Sequence, residues 1–287
     1  MRAEQKSVLL RSQLPLYLRN NIMSFICREV LPDVFHIEDA LGVCMTLLRG
    51  SREALLVDAG FGLEDAAAFA ASLTEKPVRL LLSHGHYDHA LGACWFAEAE
   101  IFDEDMALAH EHGQAFWRHR ALDGAGRLQL DVDEGAYLSR PLPPLKGLRE
   151  GTIELGGLSV RVLRCPGHTP GSAVFYVPER ELLLTGDDWN PCTWLFFPEA
   201  LPARDYRRNM LELLALPFRH VLCPHRTELY DRSVLEDFLA GLTDAALQSA
   251  KPVDTGAWLG IRTMEAETAP GQCLVFDAAK IAGREET

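Results

Sequence analysis

Three histidines and an aspartate fall within one short stretch, His84-Gly85-His86-Tyr87-Asp88-His89. Residues 78–82 directly before it read as a strand buried on both faces. A fold that accepts this sequence must let the strand end at a sheet edge, with all four side chains delivered to one loop. Ligands on a loop anchored to a rigid strand are well placed to hold a metal. Imidazole nitrogen and carboxylate oxygen together suit zinc, iron or manganese.

The rest of the chain supplies sheets and helical cover. Residues 34–37, 43–48 and 54–57 read as short strands, with Arg49-Gly50-Ser51 turning between the last two. Residues 63–73 are alanine-rich and amphipathic, a helix closed off by Pro77. Helical patterns follow at 90–96 and 103–122, with a strand at 100–102. Residues 123–150 carry Gly124, Gly126, Gly135, Pro141, Pro143 and Pro144 and read as a long irregular insertion. The second half repeats the style. Hairpins are expected at 152–163 and 173–184, helices at 205–215 and 231–248, and a strand at 220–223. The tail has strand-like pieces at 259–262 and 273–276. Two β-rich halves with helical cover predict two face-to-face sheets with helices outside, a four-layer αββα arrangement. The expected division is an N-terminal extension over 1–33, the main domain over 34–250, and a C-terminal tail over 251–287 packed on it.

Composition narrows the function classes. The chain of 287 residues, 48% hydrophobic and 24% charged, is long enough for one large domain. Its net charge of -13, with no run of Lys and Arg, argues against a nucleic-acid partner. No apolar stretch is long enough to span a bilayer, and residues 1–10 do not read as a signal peptide. The seven cysteines are scattered and contain no CxxC. That predicts reduced thiols in a cytoplasmic setting and no cysteine-ligated zinc. The partner expected is a small-molecule substrate. The N-terminal stretch caps the domain or joins an interface, a homodimer being one arrangement.

The cluster at His84 resembles the His-x-His-x-Asp-His signature of the metallo-β-lactamase superfamily. Further elements occur in that family's order. They are Gly167-His168, then Gly186-Asp187 at a strand end, then Pro224-His225 after a late strand. The resemblance implies a four-layer αββα fold and two divalent metal ions, zinc first, with manganese or iron as alternatives. It assigns His84, His86 and His168 to one ion and Asp88, His89 and His225 to the other, with Asp187 bridging. Such a set leaves open positions, as a catalytic site needs. The implied reaction is hydrolysis of an ester-like bond (thioester, lactone, amide or phosphoester) by a metal-bound hydroxide. Asp88 is either a ligand alone or also the group that orients the nucleophile and passes protons. Asp58 matches the family's acidic residue after an early strand. It either orients a histidine ligand or caps the following helix. Trp189, Trp194, Phe196 and Phe197 form either an apolar substrate wall or ordinary core. His110, His112 and His119 are expected at surface or lid positions.

Within the superfamily the pattern lies nearer the glyoxalase II and lactonase branch than the true β-lactamases, because Asp187 stands at the bridging position and no second-metal cysteine is evident. Two other readings remain. One is a mononuclear iron persulfide dioxygenase of the same fold. The other is a non-catalytic ligand-binding member, against which the complete ligand set argues.

Overall fold

The computed structural model describes residues 25–256 and 260–281. Most of the N-terminal stretch, and residue 259 of the strand expected over 259–262, lie outside the described residues; 260–262 form no strand, and the strand there starts at Thr263.

Two sheets form the centre. The first has seven strands in sequence order. They are β1 (Ile26–Leu31), β2 (Val34–Glu38), β3 (Cys44–Arg49), β4 (Ala54–Val57), β5 (Val78–Leu81), β6 (Ala99–Ile101) and β7 (Leu145–Gly147). Strands β1 to β4 are antiparallel neighbours, and β4 to β7 run parallel. The second sheet has six. They are β8 (Gly151–Glu154), β9 (Ser159–Arg164), β10 (Ala173–Val177), β11 (Leu182–Leu184), β13 (His220–Leu222) and β14 (Tyr230–Asp231), with β11 and β13 parallel.

The layering follows from side-chain alternation. Along β4, Leu55 and Val57 face the second sheet, while Ala54 and Leu56 face the opposite way. Along β10, Ala173, Phe175 and Val177 point inward, and Val174 and Tyr176 point to the other face. A period of two with both faces apolar requires cover on both sides of each sheet. Helix α1 (Ala66–Ser72) covers the first sheet through Ala66, Phe69 and Ala70. Asp65 caps its start by accepting the Ala68 N–H at 2.8 Å. On the second sheet, α6 (Ala203–Glu212) and α7 (Arg232–Gly241) bring Tyr206, Met210, Leu235 and Phe238 onto Val174, Leu183 and Val221. The fold is therefore αββα.

Several stretches differ from the sequence reading. After the His84–His86 loop, helix α2 is only Tyr87–Ala90, followed by a tighter turn at Leu91–Trp95. The helix expected over 103–122 breaks at Gly113 into α3 (Met106–His112) and α4 (Ala115–Arg127). Helix α4 runs on through Gly124 and Gly126, and α5 (Glu134–Ser139) and β7 follow, so 123–150 is structured. Trp117, Ala121 and Tyr137 are buried, and this tertiary packing overrides the weak helix propensity of the glycines. The tail makes a third sheet in the order β12-β17-β16-β15. It joins β15 (Lys251–Pro252), β16 (Thr263–Ala269) and β17 (Gln272–Asp277) to β12 (Cys192–Leu195). Strand β17 runs parallel to β12, far from it in sequence, a pairing that no local pattern announces.

Candidate metal centre

Strand β5 ends at Leu81, and the loop behind it carries His84 and His86 before α2 brings in Asp88 and His89. The loop between β9 and β10 carries His168. Asp187 follows β11 on a tight turn that begins with Gly186, whose φ of 51° is left-handed. A Cβ at Gly186 would stand 2.9 Å from the Ser83 Cβ, so both backbone and space favour glycine. His225 comes just after β13.

These loops converge. The ligand atoms of His84, His86 and His168 lie within 4.8 Å of one another, and so do those of Asp88, His89, Asp187 and His225. Asp187 stands between the sets. Its Oδ2 is 3.5 Å from His168 Nε2 on one side and 3.5 Å from His89 Nε2 on the other. His225 Nε2 lies 3.1 Å from the Asp187 Oδ1.

The imidazoles are held from behind. His168 donates through Nδ1 to the Trp194 carbonyl at 2.6 Å, which leaves Nε2 facing the centre. His89 Nδ1 is 3.0 Å from Asp58 Oδ2, and Asp58 also accepts the Ser83 N–H at 2.7 Å and hydroxyl at 2.8 Å. His86 Nδ1 points at His168 Nε2, 2.8 Å away, while His86 Nε2 is 2.5 Å from the Glu199 carboxylate. That is a carboxylate–imidazole pairing of the kind that orients metal ligands.

Two observations fit divalent ions to these sets. His84 Nε2 and His89 Nε2 are buried ring nitrogens with no hydrogen-bond partner, and each faces its set. Such atoms cost free energy unless something coordinates them. The protonation states of His84, His168 and Asp187 also suit a cation. Burial, reinforced by neighbouring imidazoles, holds His84 well below its ordinary value and His168 down at about 4, both neutral. At Asp187 burial pushes the carboxyl up, but His225 and His89 outweigh it and keep it ionised.

Several residues outside the sequence prediction complete the site. Asp105, wholly buried, accepts the Gly85 N–H at 2.9 Å, the Thr169 hydroxyl at 2.6 Å and the Gly171 N–H at 2.7 Å. It ties the first ligand loop to the His168 loop. The Asp188 Oδ1 accepts the His168 N–H at 2.9 Å. Asn190 donates to Asp187 Oδ1 at 3.1 Å. Asp105 and Glu199 are far in sequence from the ligands they brace and carry no local motif. Asp188 and Asn190, beside Asp187, were available as neighbours only.

His112 corrects the surface expectation. It is 4% exposed, stacked 4.9 Å from the His86 ring and 3.9 Å from Trp117. Its Nδ1 accepts the Tyr87 N–H at 3.1 Å. His112 shares the buried face of α3 with Ala109, while His110 and His119 stay exposed.

A cavity of about 580 Å³ opens over the centre, lined among others by His86, Asp88, His112, Trp194, Phe197 and His225. Of the predicted aromatic wall, Trp194 lines this cavity. Trp189 is fully buried in the outer core against Tyr230. Phe196 is 1% exposed and stacks on Phe197, whose ring lies 4.6 Å from that of His86. The local alternation turns Phe197, not Phe196, toward the ligands.

Comparison with known proteins agrees with this geometry. The family model described as the metallo-beta-lactamase superfamily matches residues 39–217, well over half of the chain. The chain belongs to the metallo-beta-lactamase superfamily. One relative is the acyl-coenzyme A thioesterase MBLAC2 of Gallus gallus, 27% identical over 210 residues, covering 68% of this chain and 70% of that protein. A hydroxyacylglutathione hydrolase of Anaeromyxobacter dehalogenans is 34% identical over 148 residues, 51% of this chain and 46% of that one. Among solved structures, a metallo-beta-lactamase family protein of Thermus thermophilus superposes with a TM-score of 0.54 at 26% identity, covering 77% of this chain and 82% of that one. This superfamily member has no helix among its described residues long and apolar enough to cross a membrane.

Proposed function

We propose that the chain is a dinuclear metallohydrolase that cleaves a thioester. The observation that carries this is the position of Asp187, whose Oδ2 stands at equal distance from ring nitrogens of two complete ligand sets beneath an open cavity. His84, His86 and His168 would hold one divalent ion, and Asp88, His89 and His225 the other, with Asp187 shared. Ions bound there supply Lewis acidity and an activated water.

The chain's own groups do the rest. Asp88 lines the cavity with Oδ2 3.6 Å from His89 Nε2 and 3.7 Å from His225 Nε2, so Oδ2 faces the second ligand set and the carboxylate is placed to orient a water there and pass its proton. Because His112 Nδ1 accepts a backbone N–H, its ring proton sits on Nε2, a donor for the substrate's carbonyl oxygen. Trp194, Phe197 and Tyr87 offer apolar surface for the acyl arm, and Arg120 and Arg226 line the same cavity and favour an anionic carrier. The thioesterase among the relatives supports this choice of bond.

The test is metal content by elemental mass spectrometry, followed by a panel of acyl thioesters, esters and lactones. The expected result is about two ions per chain, with thioester cleavage that chelation abolishes and added zinc or manganese restores. A metal-loaded chain inert across the panel would overturn the reading. One iron per chain with oxygen consumption on a persulfide would replace it with the dioxygenase.

A further inference from the structure

Beside the metal centre, Cys192 and Cys273 occupy directly paired positions on the parallel strands β12 and β17. Their Sγ atoms are 2.8 Å apart. Both side chains are partly exposed, and Cys192 lines the cavity over the metal ligands. We propose that Cys192 and Cys273 are an oxidation site that closes into a disulfide on reaction with a hydroperoxide, fastening the C-terminal sheet to the strand that follows Asp187.

Geometry sets this pair apart from the other cysteines. Cys44, Cys165 and Cys223 are buried, and Cys27 and Cys94 lie on other parts of the fold. Burial pushes the Cys44 and Cys27 thiols up to about 12 and Cys94 to about 11, which leaves them inert as nucleophiles. At Cys192 the hydrogen bond from Cys273 outweighs burial and lowers the thiol to about 7, while Cys273 is held up. The hydrogen bond favours a thiolate at Cys192, with the Cys273 sulfur in contact with it.

The chemistry balances with one co-reactant. The Cys192 thiolate attacks an oxygen of the hydroperoxide, the O–O bond breaks, and the departing oxygen leaves as water or an alcohol after taking a proton. Cys192 is then a sulfenic acid. The Cys273 sulfur attacks the Cys192 sulfur, the S–O bond breaks, and water leaves with the Cys273 proton. Two thiols lose two electrons and the hydroperoxide gains them.

The linkage would act on the site through a short path. Strand β12 begins just after Asn190, which donates to Asp187 Oδ1, and its Trp194 carbonyl receives the His168 Nδ1 proton. Strand β17 is already joined to this segment where the Cys273 N–H donates to the Pro191 carbonyl at 2.8 Å. The disulfide would convert that contact into a covalent tie between the tail sheet and the cavity rim.

The test uses the full chain and does not depend on its catalytic activity. The native protein is treated with hydrogen peroxide in slight molar excess, then alkylated and mapped by mass spectrometry. The expected result is one linked peptide joining Cys192 to Cys273, the other five thiols alkylated, and full reversal by dithiothreitol. The Cys273→Ser variant removes the second thiol, and dimedone should then trap Cys192 as a sulfenic acid. The proposal falls if wild-type Cys192 and Cys273 both remain alkylatable after peroxide, or if the linked peptide joins a different pair. Because the wild-type map needs no substitution, a variant that fails to fold leaves the test intact.

Discussion

Asp58 takes a left-handed backbone conformation, φ 64°, immediately after β4. Aspartate and asparagine tolerate that region better than other side chains. The turn places a buried carboxylate under Ser83 and His89 at once. Asp58→Asn keeps the backbone preference and removes the charge, so it isolates the carboxylate's hold on His89. Metal affinity should fall roughly 10–100-fold, read by competition with a chelator, with an unchanged far-ultraviolet circular dichroism spectrum. An unaltered affinity would reduce Asp58 to a turn residue. Glu199→Ala should act alike on the other ion, because it strips the acceptor from His86 Nε2. Such braces mark the limit of sequence reading at this scale. The candidate ligands sit in compact motifs at strand ends. Glu199 and Asp105 act across more than a hundred and about twenty residues of chain respectively, and nothing in the neighbouring sequence signals the contact.

At the scale of elements, patterning gave away the central strands of both sheets but not β1, β7, β12 or β16, nor the pairings between distant strands. The alternation in β4 and β10 and the turns at Gly50 and Gly156 are local, and so they are legible. The third sheet depends on β17 meeting β12, and the helices at 115–139 depend on burial of Trp117 and Tyr137, neither of which a local window contains. One contact there has a sign that propensity gets wrong. Gly241 ends α7, and a Cβ on it would overlap the Thr268 carbonyl oxygen of β16. Propensity alone would have Gly241→Ala stabilise the helix by about 1 kcal/mol. Packing against backbone wins instead, and the variant should lose roughly 1–3 kcal/mol in urea unfolding. A gain would mean that α7 slides freely over the tail sheet. Ending the chain at residue 250 tests the same interface more severely. It removes the partner of β12 and strips Ala266, Leu274 and Phe276 from the core that holds Leu235 and Phe238. The shortened protein should not yield a soluble fold, and the milder Leu274→Ala should cost roughly 2–5 kcal/mol.

For the molecule as a whole, metal binding, protonation and stability are one linked equilibrium. Burial lowers His89 and His225, but Asp187 with its acidic neighbours outweighs burial at both and raises them above their ordinary 6.5. In the metal-free chain protonation of these rings is therefore favoured. A raised folded value means that their contribution to stability is complete below about 6.5 and is lost as pH rises through the folded values. A metal ion requires both rings neutral and must expel those protons. Its affinity therefore climbs with pH over the window in which the metal-free protein loses that contribution, and the overall charge of -13 favours cation uptake throughout. Zinc binding near pH 7 should release about one to two protons per chain from the imidazoles, measured by titration calorimetry in buffers of different ionisation enthalpy. Saturating metal, at about 1,000 times its dissociation constant, should add about 4 kcal/mol to unfolding, and this increment should grow as pH rises above about 6.5 at fixed metal. Binding without proton release would mean that His89 and His225 are already neutral, and that Asp187 does not exert the pull which its position between the two ligand sets implies.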